Sequence, residues 1–187
     1  MQYKVLTYGD PRLQRKTRRV DAINPEIRRL AADMIETMRI ARGVGLAAPQ
    51  VGLNLMLCVI EIPPVLDAIE EGGLPQNPGV PMPVVMINPE IISASAETVV
   101  QNEGCLSFPE IQTPIRRAVE LTVAFTDSDG IARLETVRHY LARAVQHELD
   151  HLAGVLLVDR MSPLKKIGLA GQLKKIRRKT REELDSG

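Results

Sequence analysis

Apolar residues early in the chain recur at the spacing of a helix. Ile27, Leu30, Ala31, Met34, Ile35 and Met38 fall on one face, with Asn24 as a cap and Pro25 at the first helical position. Gly43 stands where the helix is expected to end. A glycine-rich segment, Gly43 to Gly52, follows, and the apolar run Leu55–Ile62 predicts a buried strand. Residues 63–83 carry six prolines and three glycines, which opposes regular structure and predicts a long surface loop with at most one short helical turn. A strand resumes over Pro83–Asn88, and Ser93–Gln101 is expected to pair with it. Glu120–Thr126 and Ile131–Val137 flank Asp127-Ser128-Asp129-Gly130 and predict a β-hairpin. A second helix covers about Tyr140–Leu152, with Gly154 past its end, and Ser162 and Pro163 open a third. Strands in hairpin order with helices segregated from them indicate the α+β class.

Composition narrows the picture. A length of 187 residues suits one domain, 1–187, with a basic tail from about residue 162. Aromatic residues make up 3% and Trp is absent, so the core must rest on Leu, Ile, Val, Met and Ala. The net charge of +1 gives no bulk attraction to nucleic acid or membrane. It is unevenly placed: Met161–Gly187 holds 8 Lys/Arg against 3 Asp/Glu. No stretch approaches the roughly 20 apolar residues of a membrane span. Two cysteines are too few for a secreted disulfide scaffold, and the N-terminus lacks the apolar run of a signal peptide, so a cytoplasmic location is expected.

The strongest chemical signal is His147-Glu148-Leu149-Asp150-His151, an H-E-x-x-H motif inside the second helix. Residues four apart share a helical face, so both imidazoles can reach one ion. Glu148 sits one step round, where it can meet a water at the ion's open position. Two of the chain's three histidines occupy this motif, and His139 is read as a surface or capping residue. A hydrolytic site needs a third protein ligand. Leu157 occupies the place where the extended zinc-protease pattern puts its third His, and Asp159 is the only acid between Leu152 and Arg181. The ligand is therefore expected upstream. Cys105, in the polar, glycine-bearing stretch Glu103-Gly104-Cys105-Leu106-Ser107, is the best candidate, whereas Cys58 inside LMLCVIEI reads as a buried apolar cysteine. Gln50, read by itself, is as well explained as a loop residue satisfying nearby backbone.

Three segments, Gly43–Gln50 (GVGLAAPQ), Glu103–Ser107 (EGCLS) and Gln146–His151 (QHELDH), together resemble the peptide deformylase family. Thr7–Leu13, Ile87–Ile91 and Asp150–Arg160 extend the likeness over nearly the whole chain. The resemblance implies antiparallel sheets around a central helix that carries the two histidines. It implies that Cys105, His147 and His151 hold one divalent ion, Fe(II) physiologically, with zinc or nickel able to substitute. It implies removal of the formyl group from the N-terminal formylmethionine of new polypeptides. Glu148 is then the general acid–base, with the Gln50 side-chain amide and the Leu106 backbone N–H as donors to the developing oxyanion. By the same resemblance Val44, Tyr140, Arg143 and Ala144 lie near the methionine pocket, Arg143 through its aliphatic stem. Gly45 and Gly104 let the backbone lie close beside an extended peptide. The basic C-terminal tail is a possible ribosome contact, against the plainer reading of a solvated helix packed by Leu169, Leu173 and Ile176. No specific nucleic-acid site is expected. Two other functions compete: a zinc endopeptidase built on the same motif, and a non-catalytic ribosome-associated binding module.

Overall fold

The computed structural model describes residues 1–68 and 73–186. The first helix, α1 (Pro25–Ile40), starts where Asn24 Oδ1 accepts the backbone N–H of Ile27 at 2.9 Å, and it buries Leu30, Ala31, Met34 and Met38. Its end differs from expectation. Arg42, not Gly43, takes the left-handed conformation (φ 57°), while the Gly43 N–H donates to the Met38 carbonyl at 2.9 Å. Gly43 instead leaves room for Leu106: a Cβ there would lie 2.7 Å from Leu106 Cδ1, and the leucine would have to shift.

Strands β1 (Gly45–Ala47) and β2 (Leu57–Ile60) follow, and then the short helix α2 (Pro64–Asp67) in the proline-rich loop. Part of that loop, residues 69–72, lies outside the described residues. Next come β3 (Val84–Ala94), β4 (Thr98–Cys105), β5 (Phe108–Ala118), β6 (Glu120–Thr126) and β7 (Ala132–Arg138). Helices α3 (His139–Leu152), α4 (Leu157–Arg160) and α5 (Pro163–Asp185) complete the chain.

One antiparallel sheet has the order β1-β2-β3-β6-β7, and β4 and β5 form a separate hairpin. The expected pairing of Ser93–Gln101 with Pro83–Asn88 is therefore wrong. The chain does not turn at Asn88. That residue takes φ 53° and its amide bonds both backbone groups of Val20 at 2.8 Å, which carries β3 through an irregularity and on to Ala94. Only then does the chain leave the sheet, and Thr98–Cys105 pairs with β5 instead.

Alternation along β2 sets the layers, because successive side chains point to opposite faces. Leu57 and Val59 pack with Leu30, Met34 and Met38 of α1; Cys58 and Ile60 pack with Leu141, Ala142 and Val145 of α3. Cys58 is thus a core residue, as read. The β4–β5 hairpin bonds the other side of α3, where Gln146 holds both backbone groups of Ala118. Phe108, Ile111 and Ile115 of β5 form a third core with Leu13, Leu157 and the apolar stripe Leu169, Leu173 and Ile176 of α5. The helix bearing the H-E-x-x-H motif therefore lies between sheet and hairpin.

Candidate metal centre

Three elements deliver the donor atoms. Helix α3 presents His147 and His151 one turn apart on one face, and the end of β4 brings Cys105, 46 residues from His151 in sequence. One donor atom from each lies within 4.8 Å of the others, and Cys105 Sγ is 3.2 Å from His151 Nε2. Donors on one tetrahedral ion at about 2.0–2.3 Å stand roughly 3.5 Å apart, so the set is the right size.

The ring of His147 is fixed by its far nitrogen. Nδ1 lies 3.0 Å from Glu103 Oε2, which leaves Nε2 for the sulfur side. A carboxylate behind a ligating histidine sets ring orientation and raises ligand basicity. Glu103 is itself clamped. Arg117 donates to both of its oxygens at 2.9 Å, and Arg143 Nη1 to Oε1 at 2.6 Å. Arg117 also reaches Asp150 Oδ2 at 2.6 Å, and Arg160 holds the same carboxylate. Burial disfavours the charged form of Glu103, but His147 and Arg117 outweigh it and lower its pKa to about 2. Burial would likewise push the Cys105 thiol up, yet the His151 and His147 rings hold it well below the usual thiol range. A sulfur biased towards thiolate suits a metal ligand. Beside it, Glu148 is 3% exposed and its Oε2 has no hydrogen-bond partner among the described residues, and burial raises its pKa to about 7.

Gln50 sits in a short 3-10 turn (Ala48–Val51) beneath β1. Its Oε1 accepts from Ala47 N–H at 2.8 Å, which aims Nε2 at Ser107 Oγ (3.2 Å) and Cys105 Sγ (3.6 Å). The amide therefore satisfies nearby backbone and also faces the centre. Leu106 lies in the turn between β4 and β5 beside Cys105, with its side chain against Gly43. Gly45 packs directly on Glu148: a Cβ there would sit 2.2 Å from Glu148 Oε1. Gly104 has more room, since a Cβ would meet only Gln112 and Ile111 at 3.7 Å.

Among known proteins, a family model described as polypeptide deformylase matches residues 2–167. The chain belongs to the polypeptide deformylase family. The peptide deformylase of Endomicrobium trichonymphae is 40% identical over 176 residues, 94% of each chain, and that of Thermomicrobium roseum 45% over 157 residues, 84% of each. The crystal structure of peptide deformylase from Ehrlichia chaffeensis superposes with a TM-score of 0.84 at 32% identity, covering 98% of this chain and 99% of that one. That from Thermotoga maritima gives 0.75 at 39% identity, covering 87% and 99%. As a deformylase, the chain is a metal-dependent hydrolase acting on formylated nascent peptides.

A cavity of about 600 Å³ opens over this deformylase centre, within the range of ligand sites. Val44, Gly45, Gly104, Tyr140, Arg143 and Ala144 all line it, with Gln50, Cys105, Leu106, His147 and Glu148 at its floor. The Arg143 guanidinium is tied down by Gln101, Glu103, Val99 O and Ile115 O. Glu103, Arg117 and Ser107 were not picked out from the sequence as working parts of the site. One signal for Arg117 was present: it continues the alternating face Ile111, Thr113, Ile115 of β5, and a buried arginine demands a partner. His139 is the first residue of α3, at φ 50° and half-buried; the cap position belongs to Arg138, so the capping expectation for His139 does not hold.

Proposed function

We propose that Cys105, His147 and His151 hold a single divalent ion, Fe(II) in the cell with zinc or nickel able to replace it, and that Glu148 works beside it. The observation that carries this is the convergence of a sulfur, two imidazoles and a buried carboxylate without a hydrogen-bond partner among the described residues, with Cys105, His147 and Glu148 lining one open cavity. When bound, the ion would supply Lewis acidity to the formyl oxygen and make water a nucleophile near neutral pH. Glu148 takes a proton from the attacking water as its oxygen adds to the formyl carbon, and returns it to the amine as the C–N bond breaks. Formate and a free N-terminal amine result. Gln50 Nε2 and the Leu106 N–H donate to the oxygen on which charge develops; such donors act best when held in advance, and the Ala47 bond holds Gln50. The methionine side chain lies among Val44, Tyr140, Ala144 and the stem of Arg143, and the peptide backbone runs beside Gly45 and Gly104.

The whole of 1–187 acts as one catalytic domain in the cytoplasm. Among the described residues no helix is long and apolar enough to cross a membrane. The apolar stripe of α5 is spent on internal packing, while Lys165, Lys166, Lys174, Lys175, Arg178, Lys179 and Arg181 remain exposed and suit phosphate contacts on the ribosome.

The reading is tested by formate release from formyl-Met-Ala-Ser beside cleavage of end-blocked internal peptides. Deformylation without internal cleavage is expected. Glu148→Gln should lower kcat by about 10²–10⁴-fold with the ion retained by metal analysis. Cleavage of the blocked peptides alone, or undiminished turnover by the variant, overturns it.

A further inference from the structure

The carboxylate, arginine and histidine side chains lining the cavity divide into two groups. Glu103 and Arg143 are buried and paired, and His147 and Glu148 belong to the reacting centre. The other two, Arg42 and Glu110, are exposed, and among the described residues neither makes an ion pair or a side-chain hydrogen bond.

Both stand on left-handed backbone, at φ 57° and 64°, where L side chains are uncommon and where strain tends to mark functional positions. Arg42 is held there by the end of α1, its N–H donating to Arg39 O at 3.0 Å and that of Gly43 to Met38 O. Glu110 lies in an unpaired stretch of β5, between Phe108, which pairs with Cys105, and Gln112, which pairs with Gly104. One charge therefore tops the wall Arg42–Gly45, and the other tops the hairpin wall. The first wall leads straight from the centre, since Gly45 abuts Glu148 and Gly43 abuts Leu106. At about 3.3–3.6 Å per residue, Arg42 is at most roughly 10 Å along the wall from Gly45, and an extended substrate covers that in about three residues.

We infer that Arg42 and Glu110 are specificity-determining residues that read the charge of the second and third substrate residues, Arg42 favouring an acidic side chain and Glu110 a basic one. Successive side chains of an extended peptide point to opposite sides, so one residue meets each wall. The inference rests on the deformylase reading.

The holoenzyme is assayed for kcat/KM on formyl-Met-Ala-Ala and on the same peptide with Glu or Lys at position two or three, at low and high salt. At one position Glu is expected to exceed Lys by about two- to five-fold, the range for an exposed pair, and salt should shrink the ratio. Arg42→Glu inverts it, and Arg42→Asn, which suits left-handed backbone, brings it near one. Glu110→Gln depresses the Lys-bearing peptides relative to the neutral one. Ratios equal in parent and both Arg42 variants, or indifferent to salt, overturn the inference while turnover of the neutral peptide leaves the deformylase reading standing. Absence of that turnover removes both.

Discussion

The carboxylate of Glu148, the proposed general acid–base, shares its space with a residue that has no side chain. Gly45 is buried, and a methyl group there would fall 2.2 Å from Glu148 Oε1. The carboxylate is itself packed in, so it cannot swing aside at low cost. Gly45→Ala is expected to leave the fold and the ion in place but to cost roughly 10²-fold in kcat, the scale for displacing a catalytic group by about 1 Å. Metal analysis and formate release on the same sample check this. Loss of the ion together with activity would show that the glycine serves the ligands instead. Cys58 illustrates the opposite case: it is a core side chain whose thiol burial drives upward, away from reactivity.

At the scale of elements, α3 and the β4–β5 hairpin must hold a fixed relation, because two of the proposed ligands ride on one and the third on the other. Apolar contacts alone do not set it. The chain of charges from Asp150 through Arg117 to Glu103, closed by Arg143 and ending on His147, runs across that junction with Glu103, Arg117 and Arg143 buried. Removing one partner of such a pair strands an uncompensated charge, at about 3–5 kcal/mol. Arg117→Leu should therefore lower the thermal midpoint and weaken metal retention together. Thermal unfolding and competition with a chelator measure the two effects. A variant as stable as the parent would mean that Arg143 alone compensates Glu103.

For the molecule as a whole, Glu103 couples folding to acidity. Its folded pKa of about 2 lies below its ordinary value of 4.5, so the unfolded chain binds the proton more readily between those values. The stability it contributes is present above about pH 4.5 and is lost as pH falls towards 2. The stability gap between parent and Glu103→Gln, followed by thermal unfolding of metal-stripped samples, should thus shrink across that window. A gap constant from pH 5 to 2 would show that Glu103 is not ionised in the fold.

Much of this was legible in one dimension. The helices of Asn24 and Ser162 were marked by caps, the Glu120–Val137 hairpin by its turn, and the H-E-x-x-H pair by a four-residue spacing. Each is a local rule, in which the interacting groups are near neighbours in the chain. Cys105 in EGCLS was reached by elimination of downstream ligands and by its polar, glycine-bearing surroundings, whereas GVGLAAPQ marked Gln50 as a working residue only through likeness to relatives. What local rules could not reach was the pairing between distant segments: β4 with β5 rather than β3, Gly43 against Leu106, and Glu103 behind His147. Strand partners and buried charge partners are chosen by which arrangement leaves no polar group unpaired in the assembled core, and that condition exists only in three dimensions. Residue identities along the chain therefore determined the chemistry on offer, while tertiary packing decided which atoms meet.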